Sequence, residues 1–399
     1  MKALILATDI YTRGGIARYT YTFASTLADL LGPENIDVLA LLAYGDPSDL
    51  HPRFRVLGPV SDRLTPAAKV KFALKALALA RKRYGLIVCS HVSLAPVAAA
   101  IRFVYRTPFW VVCYGIEVWH PIPMLKLAAL RGAELALPIS QFTAERLQKV
   151  NGIPASKMRV LYNAVPAIFA SSLLSPNSTP GAGAPASGEK VLLSVGRLNK
   201  ADAFKGYDTV IRALPKILPL VANVRYVIVG EGDDRPKLEA LAADLGVADR
   251  VTFAGGVSDA QLAVLYRTCD VFVMPSRALG ADGPASGEGL GFVYLEAALA
   301  GKAVVGSCEG GAAEAVLHGK TGLLVNPRSV DEVAHAVIML LSDAELAVSM
   351  GAAGRKWALE NFTQEAMSGA VEEFLRVTGH VQARSCVGVS TTTCNPSQG

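Results

Sequence analysis

Glu288 and Glu296 bracket the segment Gly289-Leu-Gly-Phe-Val-Tyr-Leu295, with seven residues between the two carboxylates and glycines at 287, 289 and 291. Glycines that free the backbone for a turn, followed by an apolar run, predict a helix beginning near Phe292. The N–H groups at its start would suit the phosphate or sugar of a ligand. Glu288 would then lie at the mouth and Glu296 about two turns further in, roughly 12 Å away at 1.5 Å per residue. Two carboxylates acting on one bond in ordinary glycoside hydrolysis lie closer, about 5–10 Å apart. This pair is spaced to hold two ends of an extended ligand, or else to solvate one face of an amphipathic helix.

Candidate cations stand upstream. Arg197 ends a strand-like run (Val191-Leu-Leu-Ser-Val-Gly196) and Lys205 precedes a helical pattern at Gly206-Tyr207-Asp208. Together they could neutralise a diphosphate, arginine as a bidentate donor and lysine as a point charge, or they could be surface charge beside a loop. Gly14-Gly15, between the first strand pattern and the first helix pattern, would let a backbone approach a phosphate closely, although paired glycines also mark any tight strand-to-helix turn. Gly230-Glu-Gly232 follows a strand too, but it lacks the third glycine of a dinucleotide fingerprint, which argues against a nicotinamide-dependent oxidoreductase.

Holding these groups in place requires two α/β units. The 399 residues exceed one ordinary core and suit two domains of roughly 150–200 residues. Strand patterns at Lys2–Thr8, Ile36–Leu42, Leu86–Ser90 and Phe109–Cys113 alternate with helical ones near Ala17–Leu31, Ala67–Tyr84 and Thr143–Val150. Residues 1–168 make a first domain. Residues 169–189, rich in Ser, Pro, Gly and Ala, are expected to be a flexible linker. A second α/β domain follows over 190–345, with strands near Val191, Val224, Val251, Val271, Ala303 and Leu323, then C-terminal helices over 346–378. The Ser/Thr-rich tail, 379–399, is expected to be disordered.

Composition narrows the functional classes. No apolar run reaches the ~20 residues of a membrane span, and the N-terminal Met-Lys-Ala-Leu-Ile-Leu-Ala-Thr-Asp is too short in apolar core for a signal peptide, so a cytoplasmic chain is expected. The six cysteines show no C-x-x-C spacing, which indicates neither a zinc site nor a disulfide framework. Residues 1–160 carry 20 Lys/Arg against 10 Asp/Glu, whereas the remainder is net acidic. Much of the excess lies between Arg63 and Arg83, where Lys69, Lys71 and Lys75 interrupt Val70, Phe72 and Leu74 at helical spacing. Such a helix suits an anionic membrane surface or simply solvates one face. Nucleic acid is not an expected partner, because no recognised motif and no aromatic interleaving accompany the charge.

Taken in order, Gly14-Gly15, Gly196-Arg197…Lys205-Gly206-x-Asp208, Gly230-x-Gly232, Val251-x-Phe253-x-Gly255, Met274-Pro-Ser276, Glu288-x7-Glu296 and Gly310-Gly311…Glu314…Gly319-x-Thr321-Gly322 resemble the retaining GT-B glycosyltransferases of family 4 across residues 1–330. The Glu-x7-Glu segment is similar to that of GDP-mannose-dependent mannosyltransferases. The resemblance implies a GT-B fold, two Rossmann-like domains facing a cleft, and transfer of a hexose from a nucleoside-diphosphate sugar to a glycan, lipid or lipid-linked acceptor. GDP-mannose is the favoured donor, with a UDP-hexose as the competing one. It further implies that Glu296 binds the ribose, Arg197 and Lys205 the diphosphate, and Glu288 with the backbone of Gly289, Leu290, Gly291 and Phe292 the transferred sugar. Gly15 would meet the phosphate from across the cleft. No Asp-x-Asp motif is present, and Arg and Lys can stabilise a leaving diphosphate, so neither a metal nor another cofactor is expected.

One departure stands out. Family members often carry His-Gly-x-Asp/Glu after a first-domain strand, and here the segment reads Cys113-Tyr114-Gly115-Ile116-Glu117-Val118-Trp119-His120. Tyr114 can donate a hydrogen bond but does not titrate near neutral pH. His91 and His120 are candidate substitutes, as sugar or acceptor contacts beside Tyr114, and Glu117 is expected to reach acceptor or sugar. The departure also motivates an alternative: a non-catalytic, GT-B-shaped subunit that binds a sugar nucleotide for regulation.

Overall fold

A computed structural model of the chain describes residues 1–11, 14–43, 52–175, 188–278 and 286–381. The first domain runs β1 (Ala3–Ala7), α1 (Gly15–Leu31), β2 (Ile36–Ala40), β3 (Arg55–Val56), α2 (Pro66–Ala80), β4 (Leu86–Cys89), α3 (Ala95–Tyr105), β5 (Phe109–Cys113), α4 (Met124–Gly132), β6 (Leu135–Pro138) and α5 (Gln141–Asn151). After α6 (Ala167–Leu174), the second runs β7 (Lys190–Val195), α7 (Tyr207–Ile217), β8 (Val224–Val229), α8 (Arg235–Asp244), β9 (Val251–Gly255), α9 (Asp259–Thr268), β10 (Val271–Val273), α10 (Phe292–Leu299), β11 (Ala303–Ser307), α11 (Ala312–Ala315) and β12 (Gly322–Val325). Three helices close the chain: α12 (Val330–Ser342), α13 (Ala344–Asn361) and α14 (Gln364–Val377).

Both sheets are parallel and six-stranded. The first is ordered β3-β2-β1-β4-β5-β6, and the second, β9-β8-β7-β10-β11-β12, repeats that order strand for strand. This is the doubly wound Rossmann order, in which ligands lie outside the carboxyl ends of the strands where the order reverses. The reversal falls between β1 and β4 in one domain and between β7 and β10 in the other. Gly14-Gly15 follows β1, His91 follows β4, Arg197 follows β7 and Ser276 follows β10. Topology alone therefore gathers four of the sequence motifs at two strand-end crevices. Helices cover both faces of each sheet, so β1, β2, β4 and β5 are buried at every position and read as near-continuous apolar runs.

Three features depart from the sequence expectation. The stretch expected to be a flexible linker begins as the end of α6, where Phe169 and Leu173 are buried in the core. Its apolar side chains outweigh the serines between them. The rest of that stretch, 176–187, and the tail from 382 onward lie outside the described residues. The second departure is β6, a short strand with no β-branched residue that nevertheless pairs with β5 along its length. The third is the return of α14 to the first domain. Trp110 meets Phe374 edge-on at 6.5 Å between ring centres, His380 Nε2 lies 2.8 Å from Glu134, and the Val165 amide donates to the Phe362 carbonyl at 2.9 Å.

Candidate active site

Helix α10 begins at Phe292, and Gly291 precedes it with φ +85°, in the left-handed region that favours glycine. Gly289 is required for a different reason. A Cβ there would lie 2.2 Å from the Tyr114 carbonyl oxygen of the first domain, so only glycine allows the two domains to approach at this point. The resulting turn forms one wall of a cavity of about 360 Å³ between the domains, lined by Gly15, Ile16, Tyr114, Ile116, Glu117, Ile139, Asn163 and residues 287–292. A larger hollow of about 580 Å³, beside Gly301 and Arg355, includes none of these residues.

Lys205 and Glu288 meet at the cavity edge, Nζ to Oε1 at 2.5 Å, with both side chains mostly buried. The lysine stem crosses Gly196, where a Cβ would lie 3.1 Å from it, and so lies beside the next residue, Arg197. The Arg197 guanidinium reaches Asp202 at 2.9 Å and is 75% exposed, free to turn toward an incoming anion. Each cation of the candidate diphosphate site thus rests on a carboxylate that an anionic ligand can replace. Tyr207 stands behind them with its hydroxyl buried and unpartnered, its pKa pushed well up by burial and by the nearby Glu288 and Asp202 charges.

Glu296 lies deeper, nearly inaccessible. Its carboxylate accepts from the Tyr266 hydroxyl at 2.7 Å and from Arg18 at 3.3 Å, and Arg18 also pairs with Asp259 at 2.8 Å. Burial pushes the Glu296 carboxyl above the usual range, opposed by Arg18 and Tyr266. Arg18 belongs to α1 of the first domain, whereas Asp259, Tyr266 and Glu296 belong to the second. Another carboxylate crosses the same divide: Glu314 accepts from the Gln141 and Phe142 amides, both at 2.7 Å, and from the Tyr162 hydroxyl at 3.1 Å. It thereby takes the exposed donors at the start of α5. Sequence reading missed Arg18, Asp259, Tyr266 and Asn163 as site residues: Arg18 meets Asp259 and Glu296 241 and 278 positions away, Tyr266 meets Glu296 from another helix, Asn163 lines the cavity from the first domain, and no local spacing announces any of these.

On the first-domain side Tyr114 follows β5 and lines the cavity. The Tyr114 ring packs edge-on against Tyr19 at 5.3 Å and nearly parallel to His91 at 6.4 Å, and its hydroxyl, near Thr20, is buried without a hydrogen bond. The hydroxyl expected to touch sugar or acceptor therefore points into the core, and Tyr114 meets the second domain through its backbone. His91 accepts from the Ser93 amide at 3.1 Å and caps the turn after β4, with burial lowering its pKa against the opposing pull of Glu117. It is a neutral imidazole at neutral pH, beside Tyr114. Glu117 accepts from the Tyr114 amide at 2.6 Å while still lining the cavity. His120 is not among the cavity-lining residues; its carbonyl accepts from Asn151 at 3.0 Å. Among the described residues no group of three His, Cys, Asp or Glu is placed to hold a metal, and Cys89, Cys113 and Cys269 are buried.

Residues 13–167 match the family described as Glycosyltransferase Family 4, and residues 179–357 the family described as Glycosyl transferases group 1. The chain belongs to the family 4, group 1 glycosyltransferases. A GDP-mannose-dependent alpha-(1-6)-phosphatidylinositol monomannoside mannosyltransferase of Mycobacterium tuberculosis is 48% identical over 172 residues, 43% of this chain and 44% of that one. The protein of the same name from Mycolicibacterium smegmatis is 43% identical over 180 residues, 45% of this chain and 46% of that one. In these comparisons the chain spans less than half the length of the relatives. The crystal structure of Anabaena Alr3699/HepE in complex with UDP superimposes with a TM-score of 0.74 at 22% identity, covering 94% of this chain and 99% of that one. The architecture is the GT-B fold.

Proposed function

We propose that this glycosyltransferase is a retaining mannosyltransferase that takes mannose from GDP-mannose and passes it to a lipid-linked acceptor at an anionic membrane surface. The observation that carries the reading is the Lys205–Glu288 pair, held at the edge of the interdomain cavity beside a glycine turn and a helix start. On donor binding, Glu296 accepts from the ribose hydroxyls. Arg197 and Lys205 exchange Asp202 and Glu288 for diphosphate oxygens. Glu288, released from its lysine, accepts from the mannose hydroxyls, and the backbone of residues 289–292 closes over the sugar. Gly15 meets the phosphate from the opposite domain, and Glu117 faces the acceptor side with His91 packed behind Tyr114.

Negative charge grows on the leaving diphosphate, and Arg197, Lys205 and the start of α10 stabilise it. No metal enters the reading, since the two cations supply that stabilisation. With the acceptor on the same face as the departing group, the bond from C1 to the phosphate oxygen breaks as the bond from C1 to the acceptor oxygen forms. The acceptor's proton passes to a phosphate oxygen, and configuration is retained.

The donor assignment draws on the named activity of the mycobacterial relatives; the HepE likeness, at 22% identity, speaks for fold alone. The acceptor side draws on the first domain's surface. Helices α2, α3 and α4 lie side by side and expose Val70 and Leu74, Phe103, and Met124 and Leu125 among Lys69, Lys71, Lys75, Arg102 and Lys126. Phe103 and Met124 are 89% and 87% exposed, more than solubility alone favours. The proposed contact is peripheral, on the cytoplasmic leaflet, made by this apolar and basic surface; among the described residues no single helix is long and apolar enough to cross a membrane. A regulatory subunit that only binds the sugar nucleotide would share the fold and the site but show no transfer.

Thermal unfolding in the presence of GDP, UDP and ADP tests the donor. A ligand at about 100 times its Kd adds about 2.7 kcal/mol to native stability. For domains of this size that is a rise in Tm of several degrees, at about 2–4 °C per kcal/mol. GDP and GDP-mannose should give the largest rise. A larger rise with UDP and UDP-hexoses would replace the donor assignment.

A further inference from the structure

Arg18 is the residue that joins the ribose carboxylate of one domain to the other domain. It sits one turn into α1, immediately after the Gly14-Gly15 turn, and its side chain is 18% exposed. Its guanidinium divides between Asp259 on α9, at 2.8 Å, and Glu296 on α10, at 3.3 Å, and stacks 5.4 Å from the ring of Phe169 on α6. Three helices thus converge on the cation that α1 carries: the connecting helix α6 and the second-domain pair α9 and α10.

A buried carboxylate without a cation is driven toward its neutral form, and a neighbouring carboxylate drives it further. Without Arg18, Glu296 would meet both conditions, being fully enclosed and close to Asp259. Tyr266 donates to one of its oxygens but carries no charge. The other cations on helices packed against α10 are engaged elsewhere: Arg267 of α9 donates to the Ser172 carbonyl, and α13 places Arg355 on the Leu299 carbonyl at the far end of the helix and Lys356 beside Glu360. Helix α11 turns Glu314 toward α5, and α6 has no charged residue. An ionised carboxylate accepts from both hydroxyls of a ribose, whereas a protonated one has an O–H of its own to place.

We infer that Arg18 is a positioning residue for donor binding, holding Glu296 ionised and oriented through a contact made only when the domains are closed. The inference rests on the reading of Glu296 as the ribose ligand. Because Arg18 uses one lone pair of Oε1 and Tyr266 one of Oε2, capacity remains on both oxygens for the ribose diol. Asp259 keeps the guanidinium aimed at the site and balances the second half of its fork. Closure is thereby coupled to the charge state of the group that recognises the nucleotide.

The test is calorimetric binding of GDP and of UDP to the full chain from about pH 4.5 to about pH 8, for the wild type, Arg18→Ala, Arg18→Lys and Glu296→Gln. Circular dichroism confirms that each variant is folded, and Arg18→Lys keeps the question answerable if the alanine variant is not. In the wild type, affinity needs the ionised Glu296, so it falls as pH drops through that group's pKa. Removing the cation raises that pKa, so the acid limb should move up by about one unit or more, with affinity about tenfold weaker than the wild type's at pH values below both limbs. Arg18→Lys should recover most of both effects, and Glu296→Gln should bind weakly with no acid limb. Arg18→Ala binding as tightly as the wild type with the same limb, or more tightly, overturns the inference, since the arginine would then be a bystander or a competitor for the ribose. Glu296→Gln binding as well as the wild type overturns the ribose reading, and with it a role for Arg18 through Glu296. Failure of the wild type to bind either nucleotide overturns both.

Discussion

Tyr114 shows what a single side chain contributes when its usual counterpart is missing. Its hydroxyl is enclosed near Thr20 without a hydrogen bond, at a site where a partner would ordinarily be expected for so buried a group. An unpartnered buried hydroxyl costs about 1–3 kcal/mol, so Tyr114→Phe should leave Tm unchanged or raise it and keep transfer activity within about twofold of the wild type. A loss of activity of tenfold or more with the fold intact would mean that the hydroxyl reaches substrate after all. Residue types and order by themselves make Glu288, Arg197 and Lys205 legible as candidates, because carboxylates and cations beside glycine turns carry their chemistry in their spacing. The roles of Arg18 and Glu314 are not legible in the same way. Each acts through a contact across the domain boundary, and no local pattern encodes a partner on the other domain.

Elements differ in how openly the sequence states them. Strands β1, β4 and β5 are short apolar runs buried on both faces, and α1 carries Tyr19, Phe23 and Leu27 at helical spacing into the core, so these are plain in the sequence. The strand β6 and the helices α3 and α4 are not, since an alanine-rich helix and a short strand lacking β-branched residues offer little periodicity to read. The edge strand β3 is two residues long and is held by chemistry rather than pattern. Arg55 forks onto Asp37 of β2 at 2.6 and 2.7 Å, and Tyr84 donates to the same carboxylate. Burial works against ionisation of Asp37, but the bonds from Arg55 and Tyr84 outweigh it and hold the carboxyl below its usual range. A depressed carboxyl pKa contributes stability that is present above the unfolded value, about 3.9, and is lost as pH falls through the folded one. Asp37→Asn should therefore cost about 1 kcal/mol at pH 7, discounted for the exposure of Arg55. The gap between the variant's Tm and that of the wild type should narrow below about pH 4. A gap that persists unchanged into acid would assign the loss to packing instead.

At the scale of the whole molecule, two copies of one strand order face each other, α14 ties the end of the chain to the first domain, and charges on opposite walls meet across the cleft. The division of labour that this suggests, donor on the acidic second domain and acceptor at the basic first, extends to the surface formed by α2, α3 and α4. If that surface meets the membrane, the protein should co-sediment with vesicles containing an anionic phospholipid and release them in high salt. Changing Lys69, Lys71 and Lys75 to glutamate should weaken the association, and undiminished binding would locate the membrane contact elsewhere or remove it. The most direct measurement of the function itself is transfer of radiolabelled mannose from GDP-mannose to a phosphatidylinositol mannoside in such vesicles, followed by NMR of the new linkage. A retaining mannosyltransferase gives labelled lipid with an α-linkage, and Glu288→Gln lowers the rate about a hundredfold or more while GDP still binds. No label in the lipid from a protein that binds GDP-mannose, or a β-linked product, would contradict the function proposed for this cleft.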